Sequence, residues 1–193
     1  MSRIQKTAVI SAIIAPVFTL AGCVVDTDRS ADSTDMPSVS SPSQNSDSTG
    51  VALGAEAAKA DDDLTLNDML TYAMQDEHLA RASYDIAIND LGAGKPFTNI
   101  VNSEEQHVSM LTPLFDEYKV EPVDGEEIAK YAPVPITIKG ALETCVEAEI
   151  VNIAMYERFL EQELPADVRE VFEHLKYASE NHLRAFENNL SRY

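Results

Sequence analysis

Glu104-Glu105-Gln106-His107 sets a carboxylate and an imidazole three residues apart, a spacing that puts both on one face of a helix. Glu77, Glu149 and His182 stand alike in their own segments, each at a position where a 3.6-residue apolar stripe calls for Leu or Ala. An ionised carboxylate buried without a partner costs several kcal/mol, and three at one level also repel one another. Something must compensate them: a cation, shared protons or a water-filled cavity. Carboxylate oxygen with imidazole nitrogen suits a first-row transition metal, iron or manganese rather than calcium. A single Glu-x-x-His is a weak signal in an acidic helical chain, but its coincidence with Glu77, Glu149 and His182 at matching depth is a sharper one. The plain alternative is structural, because a histidine on an apolar face is more often a satisfied core group than a ligand. Asp76, His78, Glu105, Glu147 and Glu180 fall off the stripes and are expected in solvent. Asn152, Ser179 and Tyr156 are candidates for the groups that hold the ligands or a water, while Tyr84 and Tyr156 also serve as core filler. Cys145, one turn before Glu149, is expected as a small buried hydrophobe.

Four helices must position these groups. The first is expected from about Leu64 to Asp90, with Leu66, Leu70, Ala73, Glu77, Ala80, Tyr84, Ala87 and Leu91 inward and Gly92 and Gly94 as its stop. The second is expected from Pro96 to Tyr118, bent at Pro113. The third runs from Ile138 to Leu164 with Leu142, Cys145, Glu149, Asn152, Tyr156 and Phe159 inward. The fourth opens at Pro165 and continues to Leu190 with Val168, Phe172, Leu175, Ser179, His182 and Phe186 inward. Between helices two and three lie 19 residues, 119–137, rich in helix breakers, with room for a short helical turn at Glu126 to Tyr131. Such a linker extends up to ~60 Å, whereas a 23-residue helix is only ~35 Å long. The expected class is all-α: two antiparallel hairpins joined by one long crossover, as ferritin-like bundles require.

The N-terminus has a different character. Arg3 and Lys6 precede an apolar run over 8–20, which ends in Leu20-Ala21-Gly22-Cys23. This resembles the lipobox of prokaryotic lipoproteins, in which the peptide is cut before a cysteine that is then lipidated. Residues 1–22 are therefore expected as a lipoprotein signal, and Cys23 as the lipidated residue. The run falls short of the ~20 apolar residues of a membrane span and is interrupted by Ser11, Pro16 and Thr19. Residues 23–63, rich in Ser and Asp and without an aromatic, read as a disordered tether reaching ~35 Å, with only transient helix at Ala55 to Ala60. The domain is expected over 64–193. Of 193 residues, 33 are Asp or Glu against 14 Lys or Arg, a net charge of −19 that argues against nucleic acid. The expected place is the cell envelope, on the outer face of a membrane held through lipid on Cys23. A homodimer stays open, and no protein partner is readable.

Glu77-His78-Leu79-Ala80-Arg81, Phe97-Thr98-Asn99-Ile100, Ser103-Glu104-Glu105-Gln106-His107 and Asn181-His182-Leu183-Arg184-Ala185-Phe186, in this order, resemble an uncharacterised ferritin-like family, the domain-of-unknown-function 2202 family. The resemblance spans Leu64 to Leu190 and implies a four-helix domain related in fold to rubrerythrins and bacterioferritins, with no activity assigned. It implies metal ligands at Glu77, Glu104, His107, Glu149 and His182. The chain departs from the di-iron pattern at Ser179, where a fourth carboxylate would stand, and carries an amide at Asn152. Three carboxylates give −3 against +4 for two divalent ions, which favours one ion or a loosely held pair.

Two functions follow. One is an envelope-tethered protein holding one or two iron or manganese ions, with oxidase- or peroxidase-type redox chemistry. The other is a non-catalytic envelope module with a polar core and an acidic face for a partner. Haem between His107 and His182 lacks any Cys-x-x-Cys-His attachment motif.

Overall fold

The computed structural model describes residues 51–193; the expected signal, Cys23 and most of the expected tether lie outside them. The described residues are all-helical and form a bundle. Its long helices are α2 (Leu66–Leu91), α3 (Phe97–Tyr118), α5 (Ile138–Leu160) and α6 (Ala166–Leu190), accompanied by short α1 (Gly54–Ala60) and α4 (Gly125–Ala129). The main packing is α2 on α3 and α5 on α6, each pair joined by a short loop, with α2 also against α5 and α3 against α6. Among the described residues no helix is long and apolar enough to cross a membrane.

Local chemistry sets the ends. Thr65 and Asp68 close a reciprocal capping box at the start of α2, and Gly92 ends it in the left-handed region at φ 66°. Lys119 takes the same region, φ 58°, at the end of α3, while Pro113 is accommodated inside that helix on its exposed side. Thr137 caps α5 by accepting from Gly140 N. That helix ends at Leu160, four residues before the expected stop, because Arg169 draws the carbonyls of Leu160 and Gln162 onto its guanidinium at 3.0 Å each. The 119–137 connection contains α4, which packs on α2. Its Asp124 side chain accepts from Glu126 N and Glu127 N.

One expectation about organisation is corrected here. The tether was expected to run to residue 63, but 54–60 are an ordered part of the bundle, packed on α2 and α5. Ala55 and Ala58 are buried in the core. The N-terminal amides of α1 are taken by side chains of α2: Gly54 N donates to Gln75 Oε1 at 3.0 Å and Ala55 N to Asp76 Oδ1 at 2.8 Å. At the other end the Arg158 guanidinium donates to the carbonyls of Ala58 and Asp61. A seven-residue helix is far below the length that holds in isolation, so these tertiary partners are what stabilise it.

Two apolar clusters fill the bundle and leave a layer between them. One gathers Leu70, Leu111, Tyr156, Phe159 and Phe172 with their neighbours. The other gathers Tyr84, Phe97, Ile100, Leu142, Cys145 and Phe186. Along every long helix the polar residues of the inward stripe fall between the two, so all four contribute to one polar level.

Candidate metal centre

Four helices deliver the five predicted residues to that level. Glu77 comes from α2, Glu104 and His107 from α3, Glu149 from α5 and His182 from α6. Their exposures are 2%, 2%, 2%, 4% and 7% in that order, so none is a surface charge. They form two groups whose ligand atoms lie within 4.8 Å of one another: Glu77, Glu104 and His107, and Glu104, Glu149 and His182. Glu104 belongs to both. His107 Nδ1 lies 2.8 Å from Glu104 Oε2 and 2.9 Å from Glu77 Oε2. His182 Nδ1 lies 3.1 Å from Glu104 Oε1 and 3.5 Å from Glu149 Oε1. The two imidazoles stack with centroids 5.6 Å apart.

Neighbouring groups fix these side chains. Tyr84 donates to Glu149 Oε1 and Tyr156 to Glu77 Oε1, each at 2.6 Å, so both tyrosines do more than fill the core. Ser103 Oγ sits 3.1 Å from His107 Nε2, which leaves Nδ1 aimed at the carboxylates. Ser179 Oγ donates to Asn152 Oδ1 at 2.7 Å, and Asn152 Nδ2 to Asp76 Oδ2 at 2.5 Å. Ser179 and Asn152 are therefore tied to each other and to α2.

Asp76 is the group the periodicity missed. It was expected in solvent, one residue off the stripe, but it is half-buried, with both oxygens accepting hydrogen bonds. No signal inside α2 reveals this: its flank is covered by α1, whose docking the sequence pattern does not show. His78 is corrected likewise, half-buried with its ring against Gly125, where a Cβ would collide with it. Glu105 and Glu147 are exposed, and partly exposed Glu180 pairs with Lys176 at 3.2 Å. Cys145 is a buried free thiol whose pKa burial raises.

The electrostatics are those of a tightly shared proton set. Burial alone would depress the histidines, but the carboxylates beside them prevail: Glu104 and Glu77 raise His107 to about 10, and Glu104 and Glu149 raise His182 to about 9. Burial pushes Glu77 up to about 7, a rise moderated by His107. It also pushes Asp76 up to about 7 against the hydrogen bonds from Asn152 and Ala55. Glu104 moves the other way: burial would raise it, but the two imidazoles hold it below the ordinary carboxylate range.

One oxygen in this network lacks a well-aligned donor. Glu104 Oε1, fully enclosed, accepts no hydrogen bond, although His182 Nδ1 is near it. Beside it lies a cavity of about 20 Å³ walled by Asp76, Glu77, Glu104, Glu149, Asn152 and Ser179. That volume holds about one water-sized particle. The carboxylates of Glu77, Glu104 and Glu149 reach this space, and together with His107 and His182, which are grouped with them, they make a donor set that fits a transition-metal ion. A larger, mainly apolar cleft of about 310 Å³ adjoins it across Asp76, Ala80, Tyr84 and Ala148.

Comparison with known proteins places the fold without an activity. No family model matches the chain. The uncharacterized protein MJ0754 of Methanocaldococcus jannaschii is 27% identical over 133 residues, covering 62% of this chain and 71% of its own length. The crystal structure of the hypothetical protein MJ0754 from Methanococcus jannaschii superposes with a TM-score of 0.60 at 26% identity, covering 69% of this chain and 85% of that one. The chain is thus similar in fold to an uncharacterized protein, and this likeness carries no activity.

Proposed function

We propose that this chain is an envelope-tethered, ferritin-like metalloprotein of the domain-of-unknown-function 2202 type, which binds one or two iron or manganese ions between α2, α3, α5 and α6. Glu77, Glu104, His107, Glu149 and His182 are the ligands in this reading. The observation that carries it is the pair of buried ligand groups that share Glu104, whose Oε1 accepts no well-aligned hydrogen bond, next to a cavity of about 20 Å³ that Glu77, Glu104 and Glu149 line. A cation between the two groups would satisfy that oxygen directly, where His182 gives it only an ion-pair contact at 3.1 Å. A redox-active ion at this place would supply one-electron chemistry toward oxygen or a peroxide.

The chain's own residues prepare the site for it. Ser103 beside Nε2 leaves the Nδ1 lone pair of a neutral His107 for an ion. The hydroxyls of Tyr84 and Tyr156 hold one oxygen of Glu149 and Glu77 each, which limits how these carboxylates turn. Residues 1–22 are the signal in this proposal, Cys23 carries the lipid, and the following segment up to α1 is the tether. The acidic balance stays a matter of solubility and of repulsion from anionic surfaces.

A second reading has its own observation. Charged His107 and His182 already lie 2.8–3.1 Å from Glu77 and Glu104, so protons alone neutralise most of the layer. The protein would then be a non-catalytic envelope module whose polar core serves fold specificity. Elemental analysis of untagged protein after reconstitution with Fe(II) or Mn(II) separates the two. The metal reading expects about one ion per chain or more, abolished in Glu104→Ala; under ~0.2 ion per chain in the unaltered protein would leave the second reading standing.

A further inference from the structure

The charge of the centre points beyond the five ligands. The two ligand groups share Glu104 and so mark two adjoining positions for a cation. Two divalent ions bring +4, and Glu77, Glu104 and Glu149 supply −3; a buried site left with an uncompensated charge is strongly disfavoured. The cavity that Glu77, Glu104 and Glu149 line has one further carboxylate residue in its lining, Asp76. Its position is over-determined. Ala55 N donates to Oδ1 at 2.8 Å and Asn152 Nδ2 to Oδ2 at 2.5 Å, and Asn152 is itself held by Ser179 at 2.7 Å. Gly54 makes the approach of α1 workable, since it has φ +56° and a Cβ there would stand 2.5 Å from Asp76 Oδ1. The carboxylate absent at Ser179 and Asn152 therefore reaches the same wall from α2, across one hydrogen bond.

We propose that Asp76 is the fourth carboxylate of the centre, balancing the second of two divalent ions from the cavity wall. The inference rests on the metal-binding reading above and deepens it, by fixing the stoichiometry at two and naming the residue that permits it. Each Asp76 oxygen accepts one hydrogen bond and keeps a lone pair free. Asp76 can thus carry its charge beside an ion without giving up the bonds that hold α1 and α5.

The geometry offers a swap as the test. In Asp76→Asn combined with Asn152→Asp the carboxylate moves from α2 to α5. The new amide oxygen on α2 accepts from Ala55 N and its NH2 donates to the new carboxylate, which still accepts from Ser179. Mn(II) titrations by calorimetry, with elemental analysis, would be run on the unaltered chain, Asp76→Asn and the double variant; melting of each metal-free protein reports folding. Two ions are expected in the unaltered chain. In Asp76→Asn the second ion should weaken at least ~10-fold, and the double variant should bind two again. A merely structural role for Asp76 would alter melting without changing stoichiometry. The proposal is overturned if Asp76→Asn binds two ions as tightly as the unaltered chain, if the unaltered chain binds only one, or if the folded double variant binds only one. Should Asp76→Asn fail to fold, the double variant decides alone. No ion in the unaltered chain would instead remove the metal-binding reading, and this inference with it.

Discussion

His107 and His182 face opposite demands with and without an ion. Without one, their contacts to Glu77, Glu104 and Glu149 favour the imidazolium, raising them to about 10 and about 9. As metal ligands both must be neutral. Metal binding must therefore release protons, and the affinity for Mn(II) should rise steeply between about pH 6 and pH 9. Calorimetry in two buffers of different ionisation enthalpy would reveal the release. Stability of the metal-free protein runs the other way. The histidines rise from 6.5, while Asp76 and Glu77 rise from 3.8 and 4.5 to about 7. A group raised on folding stabilises fully below its unfolded value and loses that contribution as pH climbs through the folded one. Glu104, held low, contributes above 4.5 and loses its part on acidification. The melting temperature should fall from about pH 5 to pH 10, and a flat profile would contradict these protonation assignments. Glu77, Glu104 and Glu149 were legible in the sequence because a carboxylate on an apolar stripe breaks the period. Asp76 breaks no period, so nothing in α2 alone exposes it.

At the scale of elements, α1 shows where pattern reading stops. Its buried residues are only glycine and alanine, and an apolar stripe made of alanine carries little periodic signal. The helix holds because Gln75, Asp76 and Arg158 occupy its ends, all from segments distant in sequence. Gly54→Ala should therefore be costly twice over, through its positive φ and the collision with Asp76. A loss of about 1–2 kcal/mol is expected in denaturant unfolding, together with faster hydrogen exchange over residues 54–63. Unchanged exchange there would mean that α1 does not depend on this approach. The long helices were readable to within a few residues. The end of α5 was not, because Arg169 of the following helix takes its last carbonyl, that of Leu160, and the Gln162 carbonyl just beyond it.

For the whole molecule, 33 acidic residues stand against 14 basic ones, and among the described residues the fully buried carboxylates are Glu77, Glu104 and Glu149. These three lie on the apolar stripes, while the half-buried Asp76 beside them lines the same cavity from off the stripe. The proposed anchoring is open to a direct measurement. Cys23→Ser should move the protein from the membrane fraction into the soluble one, and mass spectrometry of the unaltered protein should find a diacylglyceryl group on Cys23. A membrane-bound Cys23→Ser protein would remove the lipoprotein proposal while leaving the centre untouched.

The sequence by itself determined the helical class, the inward faces and the five side chains on them, because helical periodicity is a local property that an amphipathic stripe records. Only the tertiary structure decided that Glu104 is shared by two ligand groups, that one of its oxygens lacks a well-aligned donor and that α1 belongs to the bundle. It also decided that Asp76 joins the cavity through Asn152. These are relations between segments up to 100 residues apart. No local pattern encodes them; they arise when separate helices bury their faces against one another and the groups left between them must find partners.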